Sequence, residues 1–126
     1  MKIYIETIPH DKQRYPTVGD YFIDPLKTLV IRVSNLSNRN REFLVALHEL
    51  IEAKLVRNAG ISIETIDQFD KEHPGTEDYE PGDDPAAPYY REHQFAMSIE
   101  RLMCWALGED WNEYEKEVDS LFAKKE

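Results

Sequence analysis

The sequence predicts an α+β fold: a small N-terminal antiparallel sheet of about three strands, followed by about four helices. Two patterns carry this prediction. Short apolar runs broken by turn residues fill the first third of the chain. From residue 41 onward, apolar positions recur at helical spacing between cap residues and glycines. A length of 126 residues suits a single domain, 1–126, able to bury its own core.

The strands come first. In "KIYIETI", residues 2–8, Ile3, Ile5 and Thr7 alternate with Tyr4, Glu6 and Ile8, and Pro9 ends the run. A polar loop, "HDKQRYPTVGD", follows. "YFIDPLKTLVIRVS" then reads as two short strands joined by a turn at Asp24-Pro25.

The helices follow "SNLSNRN", where Asn38 or Asn40 caps a helix over about 41–58 and Gly60 closes it. Ser62 caps a short second helix. Residues 71–88, "KEHPGTEDYEPGDDPAAP", form a long acidic loop, and loops of this length in a compact domain are usually functional or mobile. A third helix covers about 89–107 and stops at Gly108. A fourth starts at an Asp110 cap and lines Trp111, Tyr114, Val118, Leu121 and Phe122 along one face.

Composition narrows the function. Hydrophobic residues make up 41% and charged residues 32%, with a formal net charge of -10. Such a charge disfavours nucleic acid or an anionic membrane as partner. The single cysteine, Cys104, permits no internal disulfide, and a cytoplasmic setting is the simplest reading. "MKIYIETIPH" lacks the apolar core of a signal peptide, and no run is long enough to span a membrane. Gly-rich phosphate loops, Gly-x-Ser-x-Gly elbows and Cys-x-x-Cys pairs are absent.

The chemistry concentrates in "FLVALHELIEAKLVRNAG". With His48 at zero on the helical wheel, Leu44, Ile51 and Leu55 fall within about 60° and Glu52 near 40°. Glu49 sits about 100° away, at the edge of the apolar stripe. A carboxylate on an apolar face needs a partner, because burying it alone costs several kcal/mol. A salt bridge, a protonated His48 or a metal ion held by both residues would supply one.

"HELIE" reads His-Glu-x-x-Glu. It resembles the His-Glu-x-x-His signature of zincin metallopeptidases with Glu52 in place of the second histidine. "IRVSNLSNRNREFLVALHELIEA" is most similar to the metal helix of small zincins of the ImmA/IrrE type. The resemblance implies a zincin-like fold, with His48 and Glu52 as ligands and Glu49 as the general base on metal-activated water. It also implies a protein or peptide substrate. Zinc is the expected ion, with manganese or iron admitted by the second carboxylate.

A third ligand comes from "PYYREHQFAMSIERLMCWALG". His93 shares an apolar helix face with Ala96, Met97, Glu100 and Cys104. It lies 45 residues beyond His48, which is similar to the zincin arrangement. Glu100 is placed to orient His93 or His48, and Tyr89 or Tyr90 to stabilise an oxyanion. Asp67, Asp70 and His73, at the edge of the acidic loop, are weaker candidates for support. His10 is expected to be exposed and Cys104 to lie in the core. Two alternatives stand beside the hydrolase: a metal-stabilised protein-binding domain without activity, and a nucleotide phosphohydrolase with a helical metal site. The overall character is also similar to small uncharacterised phage-encoded proteins.

Overall fold

The computed structural model describes residues 1–123. Strand β1 (Ile3–Ile8), β2 (Gly19–Ile23) and β3 (Leu29–Ser34) precede helices α1 (Arg39–Asn58), α2 (Ile63–Glu72), α3 (Tyr90–Ala106) and α4 (Trp111–Ala123). The architecture is therefore α+β, as the sequence predicts.

The sheet is mixed rather than antiparallel. Its order is β1-β3-β2. β3 pairs antiparallel with β2, Tyr21 opposite Ile31, and parallel with β1, Ile5 opposite Ile31. The reason lies in β3 itself. "LVIRVS" is a nearly unbroken apolar run, the pattern of a strand covered on both faces. It is buried at every position except Arg32 and takes the centre, while β1 is left as a mostly exposed edge. Alternation within each strand carries no information about which neighbour it pairs with, so the parallel partner was not foreseeable.

Caps and glycines fix the helix ends. The Asn38 side chain accepts from the Arg41 backbone N–H, and Ser62 accepts from that of Thr65. Gly60 and Gly108 close α1 and α3 with φ of +77° and +73°. Asp110 accepts from the Glu113 N–H at the start of α4. Helix α2 takes up Lys71 and Glu72, so the acidic loop is shorter than 71–88, and it contains a 3-10 turn at Pro81–Asp83.

Helix α1 packs on one side against β2 and β3 and on another against α3. Its burial is correspondingly wide. Leu44, Val45, His48, Glu52 and Val56 are buried, and so are Ala46 and Ala53, at about 160° and 140° from His48 on the wheel. The covered arc runs from about -40° to about 160° on the same wheel. Glu49, at about 100°, lies inside this arc rather than at its edge.

Candidate metal centre

Three ligand-type atoms converge from two helices. His48 Nε2 and Glu52 Oε1, one turn apart on α1, are 3.2 Å from each other. His93 Nδ1 on α3 is 3.1 Å from His48 Nε2 and 2.9 Å from Glu52 Oε1. All three side chains are buried, with relative exposures of 6%, 5% and 2%. For donors about 2.0–2.1 Å from one ion, neighbouring donors lie about 3.0 Å apart in an octahedron and about 3.3 Å in a tetrahedron. The triangle has the dimensions of one face of such a polyhedron. His48, Glu52 and His93 are close enough to hold a metal ion.

The polarity of the triangle asks for a cation. Two imidazole nitrogens and a carboxylate oxygen face one point, and each has a lone pair to donate there. A proton on one nitrogen satisfies part of this demand; a divalent ion satisfies all of it. The donor set, two histidines and one carboxylate with an open side, suits zinc and also non-haem iron.

Two of the three side chains, His48 and Glu52, are held from behind by hydrogen bonds. His48 Nδ1–H donates to Glu100 Oε1 at 2.6 Å, and the Tyr114 hydroxyl donates to the other Glu100 oxygen at 2.5 Å. The Tyr21 hydroxyl, reaching up from β2, donates to Glu52 Oε2 at 2.7 Å, which leaves Oε1 for the centre. Carboxylate–histidine pairs of this kind fix ring orientation and raise ligand basicity. On the far side of His93 lies the 80–83 turn. A side chain on Gly82 would overlap the His93 ring, so glycine there lets the turn pack directly on it.

Electrostatics follow from this packing. Burial pushes the Glu52 carboxyl up, but contacts with His48 and His93 outweigh it and hold the group at about 2. Burial alone would lower His93; Asp83 and Glu52 overcome it and lift the ring to about 10. His48 is raised in the same way by Glu100 and Glu52. Since Nε2 of His48 faces Nδ1 of His93, the pair shares at most one proton across that contact.

Glu49 is a carboxylate beside the triangle that has no donor. It is half-buried, and among the described residues none hydrogen-bonds to it. Desolvation, with the Glu52 charge beside it, holds its carboxyl well above the ordinary range. Its Oε2 rests against Gly19 of β2, where a Cβ would stand 2.7 Å away. A cleft of about 330 Å³ opens at this point, bordered by His48, Glu49, His93, Glu100 and Tyr114.

The remaining candidates fall elsewhere. The Tyr89 hydroxyl donates to Asp70, which also accepts from Tyr15. The Tyr89 hydroxyl is thus engaged away from the triangle, and its ring meets that of His93 edge-on, centroids 6.2 Å apart. Burial raises Asp70 to about 7 against those two hydroxyls. Asp67 pairs with Arg14, and exposed His73 stacks on Phe69. His10 is half-buried, bonded to Ser34. Cys104 is in the core. The sequence did not point to Tyr21, Tyr114, Gly19, Glu80 or Asp83 as site residues, and it placed Tyr114 only on the apolar face of α4. The two tyrosines carry a faint signal: each stands at an inward position where a plain hydrophobe would serve, and a buried hydroxyl needs a partner.

No protein-family model, curated protein or solved structure matches the chain.

Proposed function

We propose that this chain is a metal-dependent hydrolase, zincin-like in its chemistry, acting on an amide in a protein or peptide. The observation that carries the reading is the buried triangle of His48, Glu52 and His93 beside a carboxylate that has no other partner. The relevant ion is zinc, because two imidazoles and one carboxylate with an open position form a familiar catalytic zinc set. Such an ion supplies Lewis acidity and makes a water molecule acidic near neutral pH.

The chain's own residues do the rest. His48 and His93 present neutral nitrogens, and Glu52 one oxygen, from rigid helices. Glu100 and Tyr114 keep His48 in the tautomer that leaves Nε2 free. Glu49 takes a proton from water in the cleft and returns it to the leaving amine. Burial and the neighbouring Glu52 charge raise its pKa, which makes the carboxylate a stronger base than an exposed one. The cleft beside Glu49 supplies room for an extended substrate.

The test is metal analysis combined with Glu49→Gln. Protein purified without chelators is expected to carry zinc, and Glu49→Gln to keep the ion while losing peptide hydrolysis by about 10²–10⁴-fold. An ion retained in a wild-type chain that hydrolyses no peptide assigns the centre to stability instead, as in a metal-stabilised binding domain.

A further inference from the structure

His93 has a second nitrogen that the triangle does not use. Nε2 is buried and has no hydrogen-bond partner. Yet two carboxylate oxygens crowd it: Asp83 Oδ1 at 3.3 Å and Glu80 Oε2 at 3.5 Å. A histidine N–H bonded to one acceptor would have it in line, at about 2.9 Å. Two oxygens at longer range that make no hydrogen bond to the nitrogen instead have separations from it close to the about 3.0–3.4 Å between neighbouring ligands of one ion.

We propose that Glu80, Asp83 and His93 Nε2 form a second, outer divalent-cation site, joined to the inner one through the His93 ring.

The three donor atoms lie within 4.8 Å of one another. Both carboxylates are exposed, which leaves the remaining positions to water and makes the outer ion exchangeable. The turn is built to bring them there. Pro81 starts it, and Gly82 lets the backbone sit against the ring so that Glu80 and Asp83 both reach its Nε2. Gln94 Nε2 donates to Asp83 Oδ1 at 2.9 Å and orients that carboxylate. The surrounding field favours a cation: Glu77, Asp78, Glu115 and Asp119 border the same cleft, and among the described residues no lysine or arginine does. Asp119 is raised by burial and then by Glu115, Glu77, Asp78 and Asp83, as expected of like charges left uncompensated.

With both sites filled, each ring nitrogen donates its lone pair and the last ring proton leaves to solvent. A bridging ring holds the ions further apart than the about 3.5–4 Å of hydrolytic two-metal centres. The outer ion therefore does not share the nucleophile; it pins the acidic loop against the inner ligand.

The experiment is zinc titration of the metal-free chain by calorimetry, with elemental analysis, on wild type, His48→Ala and the double variant E80Q/D83N. The wild type is expected to take up an inner equivalent tightly and a second more weakly. E80Q/D83N is expected to lose only the weaker one, and both positions are exposed amide substitutions that leave the core intact. A wild type that saturates at a single equivalent, kept by E80Q/D83N and lost in His48→Ala, overturns the outer site and leaves the inner one standing. An equivalent kept in His48→Ala and lost in E80Q/D83N supports the outer site and removes the hydrolase reading instead.

Discussion

Glu100 on α3 accepts a 2.6 Å hydrogen bond from His48 Nδ1–H on α1, across 52 residues of sequence. The bond sets which imidazole nitrogen faces the centre. Glu100→Gln keeps an acceptor but removes the charge that makes His48 a strong ligand. Loss of such a partner typically costs about 10–100-fold in metal affinity. Competition with a chromophoric chelator measures it, and unchanged affinity would detach Glu100 from the centre.

Tyr21 ties the sheet to the site through Glu52 Oε2. Tyr21→Phe keeps the ring and removes only the hydroxyl. A hydrogen bond to a charged acceptor contributes about 1.5–3 kcal/mol, so urea unfolding of the metal-free variant is expected to show a loss of that size.

Gly19 fits under Glu49 because it has no side chain. In Gly19→Ala, the new Cβ would stand 2.7 Å from both Glu49 Oε2 and Val45 Cγ1. Crowding of this kind costs about 1–3 kcal/mol. The expected outcome is reduced stability and displaced Glu49, with zinc still bound, since the atoms nearest the new methyl belong to Glu49 and Val45. Zinc content and peptide turnover of the same sample separate the two effects; loss of the ion would contradict the placement of Glu49.

Protons compete with the ion. His93 rises from 6.5 to about 10 in the folded chain. A raised pKa stabilises the metal-free fold fully below the unfolded value of about 6.5, and the contribution fades as pH rises through about 10. Metal binding must expel that proton. Apparent zinc affinity is therefore expected to climb about tenfold per pH unit per proton displaced between about pH 6 and 8. An affinity flat over that range would mean that His93 is already neutral or is not a ligand.

Much of this site is written in local sequence. His48 and Glu52 are one helical turn apart, and a carboxylate among leucines announces a partner. His93 repeats the anomaly on a second apolar face. What local periodicity does not carry is the direction from which each helix is covered. Helix α1 is packed from two sides, so its buried arc is wider than its leucines suggest and takes in Glu49. Tyr21 and Tyr114 reach Glu52 and Glu100 through tertiary contacts that no spacing encodes. Asp83 and Glu80 stand in a loop whose acidic composition reads as solvated, until the turn at Gly82 is seen against His93. The parallel pairing of β1 was hidden for the same reason: a strand's period states which face is apolar and leaves its neighbour open.

The central claim is that His48, Glu52 and His93 together hold one ion. The measurement that tests it most directly is elemental analysis of chain purified without chelators and dialysed exhaustively against metal-free buffer. It is run beside His48→Ala and Glu52→Gln, with circular dichroism to show that each variant is folded. The account predicts one retained divalent ion per wild-type chain and its loss in both variants. A folded wild-type chain with no ion, or variants that keep it, would contradict the claim.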